Sequence, residues 1–224
     1  MKTFNFIYML LLITTLSCNK AGDDLPEIEK EMPQYNKKSA YFNNQYGKIF
    51  QELQQNNLSL KANDTLINQL KSLLDSSLFY NPYNSITYSN KLDFFIHLKE
   101  YPAVLNIMDT MFVKFPTYIE LYFVKGCLFE FLGRYYEANK YFQIANEKAR
   151  FRYQISKKLN ITKNLLHDKL LEFRTYFMQN RDLNKALFQL DSLKKEYTNT
   201  ESIDLEIDFI KAIDTNDFSI FGFR

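Results

Sequence analysis

The chain has 224 residues, 46% hydrophobic and 17% aromatic, with 28 Lys+Arg against 26 Asp+Glu; that suffices for one compact domain of ordinary size or a short repeat array. A net charge of +2 gives no electrostatic footprint for nucleic acid. With only 5 Gly and 5 Pro, the chain lacks the turn residues of a many-stranded sandwich, a barrel or a glycine-rich phosphate-binding fold. Its 16 Tyr and 21 Phe supply large apolar side chains for a packed, helical interior.

The N-terminus reads Met1-Lys2-Thr3 and then an apolar run from Phe4 to Leu16, a secretory signal too short to span a bilayer as a stop-transfer helix. It ends at Thr15-Leu16-Ser17-Cys18, which resembles the bacterial lipoprotein signal. The resemblance implies removal of residues 1–17, acylation of Cys18 by palmitate-type chains and a lipid-anchored mature protein; ordinary secretion and a retained anchor are the alternatives. Residues 18–34, with five acids, two lysines and two prolines after Cys18, read as a flexible acidic tether. Asn19 in place of an inner-membrane-retaining Asp implies, by the same resemblance, the outer membrane of a Gram-negative cell. Asp23-Asp24 resembles a surface-export signal, which leaves the periplasmic face and the cell surface both open.

Pro82 and Pro116 stand 34 residues apart, each closing a helix-like segment. A 34-residue frame on 119–152 places Tyr122, Gly126, Phe129, Gly133, Tyr135, Ala138, Phe142 and Ala145 at successive key positions, and here the chain resembles the tetratricopeptide repeat. Gly126 and Ala138 are small where antiparallel helices must approach; Tyr122, Phe129 and Phe142 are expected to fill the space between successive pairs, with Ala145 completing the packing set. Gly133 falls at the inter-helix turn.

The frame on 85–118 carries Tyr88, Leu92, Phe95, Val104, Met108 and Met111, and a third unit fits 167–200 with Arg174 in the small position. Upstream, Asn63 or Asp64 caps a helix ending at Pro82, paired with a helix over 35–57. Roughly 14 extra residues between the second and third units predict one long hairpin over about 134–179, with Asn160 or Thr162 capping its second arm. The expected architecture is therefore all-α, a short solenoid of antiparallel helix pairs over 35–214 (pairs 35–84, 85–118, 119–158 and 160–200, then a final helix 201–214). The aromatic tail 215–224 either caps the stack or inserts into a partner.

The repeat resemblance further implies a concave groove lined by first-helix side chains. The groove offsets fall on Ile86, Ser89, Asp93, Ile96 and His97, then on Glu120, Phe123, Cys127, Glu130 and Phe131, and finally on Asp168, Leu171, Thr175 and Met178. That surface, apolar and acidic, suits an apolar or basic partner segment better than an acidic tail. No HExxH, CxxC or phosphate loop is present, so neither a metal nor a cofactor is expected, and His97, His167 and Cys127 read as packing or surface residues. The triplet Asp64-Thr65-Leu66 resembles an O-glycosylation acceptor used by exported proteins, implying modification at Thr65; Asp109-Thr110-Met111 and Asp191-Ser192-Leu193 share the pattern inside predicted helices.

The expected function is a non-enzymatic, membrane-anchored scaffold or adaptor that binds an envelope protein through the groove, in the layout of the small repeat lipoproteins of β-barrel assembly. The partner could be an outer-membrane β-barrel or its assembly or transport machinery. The alternative is a surface ligand-capture lipoprotein beside a nutrient transporter.

Overall fold

The computed structural model describes residues 33–55, 63–159, 165–197 and 200–215. The lipidation site Cys18, residues 18–32 of the tether, the candidate caps Asn160 and Thr162, and the tail from 216 onward lie outside the described residues. All regular structure among the described residues is helical, and chain neighbours pack on one another within each of two compact units. The segment expected as one domain divides into two compact units, Met1–Phe115 and Pro116–Arg224.

The first unit contains α1 (Pro33–Gln55), α2 (Asp64–Tyr80), α3 (Ser85–Leu98) and α4 (Tyr101–Lys114). Asn63 opens α2, its Oδ1 accepting the Leu66 amide at 3.0 Å, and Asn84 does the same for α3 through the Thr87 amide at 3.1 Å. Each cap satisfies a donor the helix cannot reach. Tyr46 and Phe50 of α1, Leu70 and Leu74 of α2, Leu92 and Phe94 of α3, and Val104, Met108 and Met111 of α4 form the core.

A neutral polar seam stitches α1 to α2 and α3. Ser77 Oγ donates to the Ser39 carbonyl at 2.9 Å and lies 2.8 Å from Thr87 Oγ1; Thr87 Oγ1 and Asn90 Nδ2 both donate to Asn43 Oδ1, and Tyr46 Oη to the Asn90 carbonyl. Ser39, Ser77 and Thr87 are fully buried, so this seam supplies the partners that burial demands.

The second unit contains α5 (Glu120–Phe131), α6 (Tyr135–Lys158), α7 (Leu165–Asn180), α8 (Leu183–Lys194) and α9 (Glu201–Asp214). Gly126 lets the α5 backbone lie on the Phe142 ring of α6: a Cβ there would sit 2.5 Å from Phe142 Cε1. Ala138, Phe142, Ala145 and Ala149 line the buried face of α6. Tyr122 and Phe129, expected to fill the space between successive pairs, meet Tyr141 of α6, and Phe142 meets Phe123 of α5, so these rings also pack the α5–α6 pair itself.

Three helix ends share one left-handed stop. Lys99 (φ 60°), Gly133 (φ 73°) and Arg181 (φ 54°) occupy the αL region after α3, α5 and α7. At the first two, the same bond pair closes the helix: Lys99 N–H to the Ile96 carbonyl with Glu100 N–H to the Phe95 carbonyl, and Gly133 N–H to the Glu130 carbonyl with Arg134 N–H to the Phe129 carbonyl. These stops are 34 and then 48 residues apart, so the 14-residue excess lies between the second and third. Its division is unequal: α6 has 24 residues where α4 has 14, whereas α7 has 16 against 14 in α3.

Candidate functional site

The predicted groove positions are mostly interior, and the reason differs in the two units. In the first, α1 lies across α3: Tyr46 meets Phe94 edge-on, and Phe50 meets His97 at 5.2 Å. Ile96 and Asp93 are accordingly buried, while His97 is exposed on its outer side, its Nδ1 2.8 Å from the Asp93 carbonyl. Ile86, in the first turn of α3, is exposed.

In the second unit the final helix closes the face. Phe209 of α9 reaches Phe123 of α5 at 6.0 Å, and Arg174 of α7 lies between them, its guanidinium 5.3 Å from the Phe123 ring and 4.4 Å from the Phe209 ring. Arg174 donates through both Nε and Nη2 to the Glu206 carboxylate of α9, a fork geometry suited to two carboxylate oxygens. Phe123 is buried by this closure, and Cys127, Leu171, Thr175 and Met178 are buried too, Thr175 against Asn146 of α6. They pack the unit and do not line an open groove.

Glu130 and Phe131 keep partial exposure at the end of α5, where Arg181 pairs with Glu130. Burial pushes the Glu130 carboxyl up despite that cation. The Cys127 thiol is driven well up by burial and then by the neighbouring Glu130, which leaves it a small apolar filler and not a nucleophile.

A second charged cluster lies where α5, α6 and α7 meet. Arg152 Nε donates to Asp168 Oδ1 at 2.6 Å and its Nη2 to Glu120 Oε1 at 2.8 Å, where His167 Nε2 also lies at 2.8 Å. Burial alone would raise the Glu120 carboxyl, but the hydrogen bond from His167 and the Arg152 charge hold it down at about 2. Asp168, fully buried with Oδ2 lacking a hydrogen-bond partner, is pushed up by burial in spite of Arg152.

These pairings were not read from the sequence, yet one signal existed. Glu206 sits in the register of Ile203, Ile207, Ile210 and Ile213, the buried stripe of α9, so a carboxylate there must meet a cation. His167 faces Glu120 and is no plain surface residue. Among the described residues no group of three His, Cys, Asp or Glu is arranged to hold a metal ion.

Outside the closed interior, α6 carries exposed apolar side chains at Phe151 and Ile155, four apart and therefore on one stripe, and its C-cap Leu159, four further on, is exposed as well. Lys148 and Lys158 flank that stripe and are exposed. Thr65 is exposed in the first turn of α2, whereas the Thr110 and Ser192 hydroxyls bond back to the carbonyls of Asn106 and Phe188. No known family, curated protein or solved structure matches the chain.

Proposed function

We propose that this protein is a non-enzymatic adaptor of the tetratricopeptide-like lipoprotein kind, held at the outer membrane through Cys18, which binds an envelope protein through the outer stripe of α6. The observation that carries the reading is the contrast within the second unit: the inner face is filled by α9, while Phe151, Ile155 and Leu159 stand exposed in a row. The 34-residue spacing of the left-handed stops at Lys99 and Gly133 supports the repeat kinship. An i, i+4, i+8 apolar row with a lysine rim suits an amphipathic partner helix with acidic flanks, the reverse of the charge expected for the groove.

Photo-cross-linking tests the reading. A photoreactive residue at Phe151 or Ile155 in the acylated, full-length protein is expected to capture one discrete envelope protein in cells. The same probe at Phe188, exposed on α8, is expected to capture none. Equal labelling at all three positions would overturn the assignment.

A further inference from the structure

We propose that one end of the first unit rests on the headgroup layer of an anionic lipid bilayer. The start of α1, the end of α2, the turn into α3 and the end of α4 all converge there. Phe42 of α1 stacks on Tyr80 of α2 at 5.7 Å, Lys38 lies over the same Tyr80 ring at 4.9 Å, and Lys114 of α4 lies over Tyr83 of the α2–α3 turn at 4.5 Å. At this end the large apolar residues turn outward: Phe79 is 74% exposed and Val113 83%, with Tyr41 and Ile86 exposed as well.

The chemistry matches an interface between water and lipid more closely than a second protein. Tyrosine and phenylalanine rings sit at headgroup depth with an apolar body and, for tyrosine, a wet hydroxyl. The Lys38 and Lys114 ammonium groups sit over the Tyr80 and Tyr83 rings, so that cation and aromatic stand side by side where anionic headgroups would meet them. Lys37 beside them is exposed. The acids nearest in sequence to Phe79 and Val113, Asp75 and Asp109, stand one turn back, and Asp75 is held by Lys91 at 2.6 Å; Glu27, Glu29 and Glu31 precede α1 in the tether. Because the exposed groups come from four element ends, they form a broad surface and not the single row found on α6.

The inference rests on the lipid-anchored reading. Cys18 and the first residue of α1, Pro33, are 15 residues apart, a span of at most about 50 Å when extended. An anchor that close keeps the lysine-aromatic end at high effective concentration near the membrane, so that weak contacts suffice to orient the unit.

The experiment uses the full-length protein expressed with its signal in a Gram-negative host and purified in its acylated form. Cysteines are introduced at Phe79, Val113, Ile155 or Phe188 and labelled with bimane; Cys127 is buried and takes no label. The protein is reconstituted in vesicles of phosphatidylethanolamine and phosphatidylglycerol carrying a headgroup nitroxide. Labels at 79 and 113 are expected to be quenched roughly threefold or more, those at 155 and 188 to stay bright, and the combined change Lys37→Glu, Lys38→Glu and Lys114→Glu to remove the quenching with the helical spectrum unchanged.

Quenching at 155 instead of 79, or bright labels at 79 and 113 in acylated protein, would overturn the proposal. So would a co-purifying protein that shields position 79. Incorporation of an alkynyl palmitate analogue separates the two ideas: absence of label in the wild type sinks the anchor reading, while label with no quenching at 79 sinks the membrane surface alone.

Discussion

The fully buried polar seam of the first unit is built from neutral hydroxyls and amides, with its ion pair Lys91–Asp75 kept to the exposed rim, while the second unit takes full charges into its interior. Ser39, Ser77, Thr87 and Asn43 form a seam in which every group can donate or accept without ionising. In the second unit, Arg174 with Glu206 and Arg152 with Glu120 and Asp168 do the equivalent work. A neutral seam carries a modest desolvation cost and tolerates pH change; a buried ion pair is costly to dehydrate and strongly dependent on both partners. The second unit should therefore be the one that a single substitution or a drop in pH takes apart first.

The largest expected effect is at Glu206. Glu206→Ala leaves the Arg174 guanidinium between two rings with no counter-ion, a loss of about 3–5 kcal/mol for breaking a buried pair. The matching cut in the first unit, Ser77→Ala, is expected to cost about 1–3 kcal/mol for the partners left unsatisfied. Hydrogen exchange read on peptides from each unit checks both: protection falls across α5–α9 in the first variant and, less deeply, across α1–α3 in the second. Equal losses would erase the distinction between the two units.

Acid should separate them next. Glu120 titrates at about 2 in the folded chain against an ordinary value of 4.5, so its stabilisation is complete above 4.5 and is lost as pH falls from there towards 2, on the order of 3 kcal/mol in all. Asp168, raised by burial, acts in the opposite sense and offsets part of that loss. The seam of the first unit has no group of this kind, and burial drives the Tyr46 phenol up, which keeps it neutral. Exchange at pH 7, 4.5 and 3 is expected to show α5–α7 loosening in the last interval while α1–α3 holds. Glu120→Gln should flatten that pH dependence.

Much of the fold was legible because its signals are local. The cap at Asn63, one of the two residues expected there, the turn at Gly133 and the close approach at Gly126 all depend on residues within one helix pair, whereas Phe142, expected between pairs, is the ring that Gly126 lies on. The 14-residue excess was legible as a break in period, though its concentration in α6 was not, since helix-forming residues fill both sides of the turn. The groove failed for a different reason. Its positions were assigned by repeat offsets, which describe a helix face and not what lies on it. Whether α9 folds back over α5 is decided by Phe209 finding Phe123 and Glu206 finding Arg174, more than 30 residues away in the chain. Only the carboxylate at 206, set among isoleucines, hinted that this face would be covered.

The smallest effect tests the one backbone device the two units share. Lys99 and Gly133 close their helices with the same pair of bonds at the same φ sign, but Lys99 bears the Cβ clash that glycine avoids. Lys99→Gly relieves that clash, worth roughly 1–2 kcal/mol, and gives back about 0.5–1 kcal/mol in unfolded-chain entropy, so a net gain of about 0–1.5 kcal/mol is expected. Gly133→Ala should lose about 1 kcal/mol by the same reasoning reversed. Arg181, the third left-handed stop, breaks the symmetry because its guanidinium also pairs with Glu130. Arg181→Gly therefore removes a clash and an ion pair together, and urea midpoints should rank Lys99→Gly above wild type with Arg181→Gly at or below it. If Arg181→Gly stabilised as much as Lys99→Gly, the Glu130 pair would contribute nothing, and charge would matter less to the second unit than its buried clusters indicate.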